Sequence, residues 1–283
     1  MTWGGLKRAL TATCRGLLDN RTLQMAAALS YYLVLSIFPA LMLFFAAIAA
    51  LPFPSFYTRI FGLIFAMLPA QAVSMVEQVL LDVLASNHRV WLSVGTIGTI
   101  WIASSAFDAM IEALDMAYGV RDPRPFWKTR LLAVGLAAAI GTLLIAGLTA
   151  MILGPRFGVW MANELGLGPH AAWLWPVFHW VVAIVTALLA LELVYFIAPN
   201  VKQRFLATLP GAVLTVACWV GFSHLLGFYF RHVANFSRTY GTLGGFIAFM
   251  TWFYWNSFAL LVGAELNSEL AKESAKGSLQ KKD

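Results

Sequence analysis

The sequence predicts an all-α, polytopic integral membrane protein. Of its 283 residues, 60% are hydrophobic and only 11% are charged. A typical soluble domain has about 45–50% apolar and about 25% charged residues. A single soluble core of this size could not bury so much apolar surface, so most of the chain is expected to be solvated by lipid.

Six apolar runs are long enough to cross a bilayer core, which takes about 20 helical residues. They cover residues 25–51, 90–107, 131–153, 172–198, 208–230 and 241–264. The first run follows a basic segment, as the apolar part of a signal peptide would. It is too long for a cleaved segment and no clear cleavage site ends it, so we expect a retained span. The predicted transmembrane domain is therefore a six-helix unit over residues 25–270.

The distribution of basic residues predicts the orientation. If the loops alternate between the two sides, 14 Lys and Arg residues lie on the side of both termini and 5 on the other side. The positive-inside rule then places both termini in the cytoplasm. The same asymmetry accounts for the net charge of +6, so no nucleic-acid partner is expected.

Three segments outside the spans have their own predictions. Residues 52–89 are expected to form short amphipathic helices on the outer side, either interfacial or re-entrant. In the basic segment 1–24, Trp3, Leu6, Leu10 and Leu17 share one helix face, which predicts an amphipathic helix on the cytoplasmic leaflet. The polar tail 271–283 is expected to be disordered.

Sequence motifs for catalysis or metal binding are absent. The chain has no phosphate-binding G-x-x-x-x-G-K-[ST], no H-E-x-x-H and no G-x-S-x-G. Its five histidines are scattered, and two cysteines (Cys14 and Cys218) are too few for a disulfide framework or a metal cluster. We therefore expect no enzymatic activity, no cofactor and no metal.

Acidic residues in and beside the spans are the first candidates for function, because a charge in the membrane is costly. Glu192 is the deepest acid. It is predicted either to be a proton or headgroup site or to be an interfacial carboxylate held by a neighbouring Arg or Lys. Asp108 and Glu112, at positions i and i+4, share a helix face. They either bind a cation or pair with basic residues of the adjoining loop.

The stretch WNSFALLVGAELN (255–267) carries an amide and a carboxylate in an apolar run. Asn256, Ala259, Gly263 and Asn267 line one face, which predicts a helix–helix contact with Asn256 bonding across it. Glu265 lies where this run reaches the cytoplasmic interface, as an inner anchor. Packing is the favoured interpretation of this stretch over transport chemistry.

Other residues have mechanical or interfacial interpretations. Pro39 is predicted to kink the first span, and Tyr32 and Ser36 share its face, which allows a polar notch. Gly241 and Gly245 form a G-x-x-x-G pair at the outer end of the last run. Three residues crowd the outer ends of the last two runs, where they either bind an anionic headgroup or act as interface anchors: Arg231, His232 and Arg238.

The ordered landmarks resemble one known family. They are AAALSYYLVLSIFPALM (26–42), WIASSAFDAMIEALDMAYGV (101–120), RPFWKTRLLA (124–133), IAPNVKQRFLATLPGAVLTVACW (197–219) and RTYGTLGGFIAFMTWFYWNSFALLVGAELN (238–267). With these segments the chain resembles the YihY/BrkB family of bacterial inner-membrane proteins, once misnamed ribonuclease BN. The resemblance implies six transmembrane helices, inner-membrane residence and a role in envelope biology. The movement of phospholipids or other amphiphiles is a proposal attached to that family.

Two hypotheses of function follow. The first is a transporter-like protein that moves phospholipid or another amphipathic anion between leaflets, through a notch lined by Tyr32, Ser36, Glu192 and Asn256. Its partners would be membrane lipids. The second is a structural or scaffolding envelope protein, with a homo-oligomer or envelope protein partners left open. An enzyme acting on lipid or RNA would need Asp108, Glu112, Glu192 and Glu265 to assemble around one cytoplasmic cavity.

Overall fold

The computed structural model describes residues 3–49, 98–120, 123–164, 171–232 and 242–279. Within these ranges the chain is helical and contains no strand, which confirms the predicted all-α class. A helical stretch at 98–103 and a 3-10 turn at Phe205–Ala207 accompany the longer helices. The longer helices are α1 (Trp3–Asp19), α2 (Thr22–Ala49), α3 (Ser105–Ala117), α4 (Phe126–Glu164), α5 (Ala171–Ile197), α6 (Leu209–His232) and α7 (Thr242–Leu279).

The chain divides into two compact units. One comprises Met1–Tyr31 together with Phe107–Asp283, and the other comprises Tyr32–Ala106. The first unit contains α1, the first turns of α2, nearly all of α3, and α4 to α7. All the contacts discussed below, apart from those within α2, lie inside this first unit.

Four described helices are long and apolar enough to cross a membrane. They cover Phe126–Met151, Trp180–Ile197, Leu209–Tyr229 and Phe246–Ala275. These correspond to the last four predicted spans. The first predicted span, 25–51, falls on α2, whose apolar part Thr22–Ile37 is shorter. Residues 90–97 of the second predicted span lie outside the described residues, as does the whole of 52–89.

The C-terminal part differs from the prediction. The helix α7 continues without a break from Thr242 to Leu279. The polar segment after Leu270 is therefore helical as far as Leu279, and residues 280–283 lie outside the described residues. A polar composition argues against burying a core, but it does not stop a helix that is already nucleated from propagating one residue at a time.

The N-terminal helix α1 packs against this extension of α7. Its buried residues are small ones, Gly5, Ala9 and Thr13, whereas Leu10 is exposed. Gly16 continues the small face, and a Cβ placed there would overlap the carboxylate of Glu265. The predicted Leu-rich face is thus separate from the face that packs, and only the small face brings the two helix backbones together.

Glycine allows the sharp end of α3. Gly119 has φ +67°, a left-handed conformation that costs glycine little. The N–H groups of Gly119 and Val120 donate to the carbonyls of Met116 and Asp115, both at 2.9 Å. This is a Schellman motif, which satisfies the last carbonyls of a helix. It places Asp115 on the final turn of α3 and Tyr118 directly after it.

The helices α6 and α7 approach each other closely. A Cβ at Gly211 would overlap the carbonyl of Gly263 and the side-chain amide of Asn267. A Cβ at Gly263 would in turn meet the carbonyl of Gly211 at 2.7 Å. In lipid, helices gain little from excluding solvent, so such close backbone approach is what holds them together.

Candidate functional site

Glu192 lies near the end of α5 and is buried, with only 2% of its surface exposed. One carboxylate oxygen, Oε1, accepts a hydrogen bond of 2.6 Å from the hydroxyl of Thr208. The other oxygen, Oε2, has no hydrogen-bond partner among the described residues. The alternative of a carboxylate paired with a neighbouring Arg or Lys is not seen in the described part of the chain.

Tyr118, directly after α3, lies close enough to Glu192 for the carboxylate charge to affect its hydroxyl. Burial is the largest effect on this side chain and raises the pKa of Tyr118 to about 12. The side chains of Asn267 and Gln203 offset part of that rise in pKa, and the charge of Glu192 adds to it. The hydroxyl has no hydrogen bond of normal geometry within the described residues. Tyr118 is thus neutral at pH 7, and neither its hydroxyl nor Glu192 Oε2 has a hydrogen-bond partner of normal geometry among the described residues.

The polar groups around Glu192 come from separate elements of the fold. Asn267 of α7 donates through Nδ2 to the carbonyl of Thr208 at 2.8 Å. Gln203, in the turn after α5, donates to the carbonyl of Tyr195. We call the following set the Glu192 cluster: Tyr118, Glu192, Gln203, Thr208 and Asn267.

A second polar link lies between α5, α6 and α7. The hydroxyl of Tyr195 donates to the carbonyl of Leu260 at 2.7 Å and lies 2.7 Å from the hydroxyl of Thr215. Thr215 also contacts the carbonyl of Ala259 at 3.2 Å. Tyr195 is fully buried, and its hydroxyl is satisfied. This link therefore serves packing.

Asn267, and not Asn256, bonds across the α6–α7 interface. The Nδ2 group of Asn256 donates to the carbonyl of Trp252 at 2.7 Å, one turn back on its own helix. Asn267, in contrast, donates to Thr208 and accepts the backbone N–H of Gly211 at 2.8 Å through Oδ1. Ala259 and Gly263 of this face meet α6, and the amide that bonds across it is Asn267, at the opposite end from Asn256.

Glu265 is also buried, with 2% of its surface exposed, and it contacts α1. The side-chain amide of Asn20, just after α1, donates to both of its carboxylate oxygens at 3.1 and 3.2 Å. The exposed residue Arg8 forms an ion pair of 3.4 Å with Glu273, two turns further along α7. Glu265 thus anchors the N-terminal helix.

An open cleft of about 590 Å³ lies beside α3. Asp108 and Glu112 line it, together with Asp115, Asn20 and Arg124. Asp108 pairs with the buried guanidinium of Arg130 on α4 at 3.2 Å, and Asp115 Oδ1 accepts the backbone N–H of Asn200 at 2.7 Å. The acids of this cleft therefore tie α3 to α4 and to the turn after α5.

The four acids that an enzyme would need around one cavity come together only in part. Asp108 and Glu112 share the cleft, whereas Glu192 and Glu265 do not line it. Asn20 connects the cleft to Glu265, because it lines the one and binds the other. Within the described ranges, no group of three or more His, Cys, Asp or Glu is placed to hold a metal ion.

The predicted notch residues lie in different units. Tyr32, Ser36 and Pro39 are on α2, in the second unit, and the helix continues through Pro39. The hydroxyl of Ser36 donates to the carbonyl of Leu33 at 2.9 Å, within its own helix. Glu192 and Asn256 are in the first unit, where no hydrogen bond joins their side chains.

The outer-end candidates are only partly described. Arg231 and His232 end α6, and their side chains lie outside the described residues, as do Arg238 and Gly241. Gly245 lies in the first turn of α7.

Among the residues whose contacts the sequence analysis did not predict are Gly16, Tyr118, Tyr195 and Gly211. Tyr195 and Gly211 sit in the quoted segment 197–219 or just before it, where their apolar neighbours conceal them. A helical period shows which residues share a face, but it does not show which helix meets that face.

These features define a class, a helical integral membrane protein whose bundle closes over buried polar side chains at one end. A comparison with protein families matches residues 13–283 to the family described as virulence factor BrkB. The chain belongs to this family, as the sequence landmarks predicted.

Curated relatives agree with that membership. The ribonuclease-like protein YfkH of Bacillus subtilis (strain 168) is 32% identical over 87% of this chain and 89% of the relative. The UPF0761 membrane protein RSc1559 of Ralstonia nicotianae is 26% identical over 87% of this chain, which spans 55% of that longer relative. A UPF0761 membrane protein of Tolumonas auensis is 24% identical over 88% of this chain and 80% of the relative. No solved structure matches the chain.

Proposed function

We propose that the protein is a transporter-like component of the bacterial inner membrane that moves phospholipid, or another amphipathic anion, between leaflets. In this proposal six helices span the membrane and both termini are cytoplasmic. The asymmetry of basic residues supports that orientation. The membrane-protein names and bacterial sources of the relatives support the location.

The observation that carries the proposal is the Glu192 cluster. A carboxylate in an apolar helix costs free energy, and such residues commonly mark a substrate or proton pathway. Glu192 Oε2 and the hydroxyl of Tyr118 are both buried without a hydrogen-bond partner among the described residues. A group that served only packing would be expected to have its polar atoms satisfied.

The physical requirement for lipid movement fits such a cluster. A headgroup that crosses hydrocarbon loses its hydrogen bonds to water, and each unsatisfied polar group costs several kcal/mol. Polar side chains between helices replace part of that hydration and lower the barrier. The energy would come from a gradient, a partner or mass action, and the proposal includes no catalytic step, cofactor or nucleic-acid partner.

Lipid translocation in liposomes tests the proposal. The purified protein is reconstituted with a fluorescent phospholipid, and quencher access to inner-leaflet label is followed over time. We expect wild type to translocate faster than empty liposomes and Glu192→Gln to lose most of that rate. Gln retains an oxygen that can accept the Thr208 hydrogen bond, so the fold is expected to persist, which a melting curve checks.

Glu269→Gln is the matched control. Glu269 lies on α7 outside the cluster, where it pairs with Lys272 at 2.6 Å on the surface. This variant is expected to translocate lipid like wild type. Folded wild-type protein that moves lipid no faster than empty liposomes would contradict the proposal.

A structural role is the second candidate, and specific contacts favour it. The Tyr195 hydroxyl is satisfied by Thr215 and Leu260, and the Asn267 amide by Thr208 and Gly211. Under this alternative, Glu192→Gln supports growth of a deletion strain under envelope stress as well as wild type does. Loss of that support by a folded Glu192→Gln protein would instead favour transport.

A further inference from the structure

A groove lies on the surface of α4. It has a volume of about 440 Å³, and its lining includes Trp127, Lys128, Leu131, Gly135 and Ala139 of α4 and Ile197 at the end of α5. Among the described residues that line the groove, Lys128 is the only charged one. Trp127 and Leu131 are exposed, so the groove opens on the surface that the protein presents to its surroundings.

Gly135 lines the groove, and no neighbour in the described part of the chain requires a glycine there. A Cβ built at Gly135 has no atom within 4 Å in the described structure. At Gly147 on the same helix, a Cβ would meet Thr186 of α5 at 2.8 Å, so that glycine serves helix packing. Glycine inside a helix costs about 1 kcal/mol relative to alanine. The space beside Gly135 is therefore not used for packing α4 against the described helices.

The groove is polar at one end, at Lys128, and apolar along the rest of its length. The ammonium of Lys128 lies 5.3 Å from the centroid of the Trp127 ring. Lysine and tryptophan together are typical of the membrane interface, where the charge meets headgroups. From Lys128 to Ala139 the helix rises by about 16 Å. That length matches one leaflet, which is half of a hydrocarbon core of about 30 Å.

Two more basic residues follow α5, whose last residue, Ile197, lines the groove. Lys202 and Arg204 line a cavity of about 500 Å³ beside Phe196, next to Ile197. Both residues are exposed. Basic pockets between helices at the cytoplasmic side attract anionic headgroups. The local charge is therefore complementary to a lipid that carries a net negative charge.

We propose that this groove binds one anionic phospholipid, with its phosphate at Lys128 and an acyl chain lying over Gly135. The site lies on the outer surface of α4, and binding there does not depend on whether the protein moves lipid through the Glu192 cluster.

The competing occupant is a second copy of the chain, because Gly135 and Ala139 have the spacing of a small-residue dimer face. A symmetric dimer of parallel copies would bring the two Lys128 side chains to the same depth on either side of the axis. Like charges at that position repel, whereas a phosphate neutralises the lysine. The charge therefore favours the lipid over the second copy.

Photocrosslinking tests the proposal. Full-length protein is reconstituted in phosphatidylethanolamine vesicles that contain phosphatidylglycerol with a diazirine in one acyl chain, and labelled peptides are mapped by mass spectrometry. We expect the main label on residues 131–139. Gly135→Leu fills the groove and is expected to reduce that label at least five-fold. Lys128→Gln is expected to reduce it about three-fold, and a phosphatidylcholine probe is expected to label wild type less than phosphatidylglycerol does.

Gly141→Leu is the matched control, because a Cβ at Gly141 also meets no atom within 4 Å and Gly141 does not line the groove. It is expected to leave the label on residues 131–139 unchanged. Equal labelling of the Gly135→Leu and Gly141→Leu variants would overturn the proposal. A wild-type dimer that Gly135→Leu converts to monomer would also overturn it, in favour of the second copy. Labelling that follows the proposal in a protein without translocation activity would reject the proposed function alone.

Discussion

The side-chain oxygen of Asn267 accepts the backbone N–H of Gly211 at 2.8 Å. This bond satisfies an N–H in the first turn of α6, where the helix itself offers no acceptor. The amide nitrogen of Asn267 donates to Thr208, one residue before α6 begins. A single side chain of α7 thereby fixes where α6 starts.

Replacement of Asn267 by Ala is expected to destabilise the protein by about 2 kcal/mol, because it leaves the buried N–H of Gly211 without its acceptor and removes one of the two donors to the carbonyl of Thr208. Asn256→Ala removes a bond within one helix only and is expected to cost less than about 1 kcal/mol. Unfolding in detergent with increasing SDS, followed by far-ultraviolet circular dichroism, measures both losses. A larger loss for Asn256→Ala would contradict the assigned roles.

Gly263→Ala is expected to lower stability by about 2–3 kcal/mol, since its Cβ would overlap Thr215 and press on the backbone of Gly211. The matched control is Gly221→Ala on α6, where a Cβ meets no atom within 4 Å. That change is expected to be neutral or to stabilise the helix by up to about 1 kcal/mol. The same unfolding measurement compares the two, and equal effects would contradict a close contact at Gly263.

The pH dependence of stability reports on Tyr118. Its pKa is raised to about 12 in the folded protein from an ordinary value of 10.0. The folded state therefore holds this proton more tightly, and the resulting stability is complete below pH 10 and lost as the pH rises through 12. Two pKa units correspond to roughly 2–3 kcal/mol.

Tyr118→Phe isolates that contribution, because phenylalanine has no proton to lose. Melting temperatures in detergent, measured from pH 9 to pH 12, are expected to fall more steeply for wild type than for Tyr118→Phe. At pH 7 the two proteins are expected to differ by less than about 1 kcal/mol, since the hydroxyl makes no hydrogen bond of normal geometry. Parallel curves from pH 9 to pH 12 would count against a buried, neutral Tyr118.

Cys14 provides a test of the orientation. It is exposed on α1, and Cys218→Ser leaves it as the only thiol of the chain. A membrane-impermeant maleimide is expected to label it in inside-out vesicles and not in intact spheroplasts. Labelling in intact spheroplasts would place the N-terminus outside and reverse the proposed topology.

The anchoring of α1 is testable through Glu265. Glu265→Ala removes the acceptor for Asn20 and is expected to increase hydrogen exchange in α1 at least ten-fold, because opening of this helix no longer breaks that contact. Glu269→Ala, one turn further along α7, is the control and is expected to leave exchange in α1 unchanged. Equal protection in both variants would show that Glu265 does not hold α1.

Composition and apolar run length predicted the helical class and the four described spans, because both depend on local properties of the chain. The face through which α1 packs was harder to predict from the sequence. The pattern of Trp3, Leu6, Leu10 and Leu17 predicts an amphipathic face, but the face that packs is made of glycine, alanine and threonine. Small residues contribute little hydropathy, so their role becomes visible only when a second helix lies against them.

In the candidate site, too, local properties were predicted from the sequence and long-range placement was not. Glu192 was identified from the sequence because a carboxylate is conspicuous in an apolar run. Tyr118 belongs to another helix, and its proximity to Glu192 depends on the Schellman turn at Gly119 and on the contacts of α3 with α4 and the turn at 198–208. Such long-range placement has no periodic signal in the sequence.

The contact between Gly211 and Gly263 also sets the sliding register of α6 against α7. A shift of α7 by one turn would bring Ala259 or Asn267 opposite Gly211, and either residue would push a Cβ into the backbone. It would also separate the Asn267 amide from both of its partners. Lipid tails barely distinguish one apolar surface from another. Without these contacts, an alignment shifted by one helical turn would therefore have nearly the same free energy. The absence of side chains at Gly211 and Gly263, together with the amide of Asn267, therefore favours the observed alignment of the two helices over the alternatives.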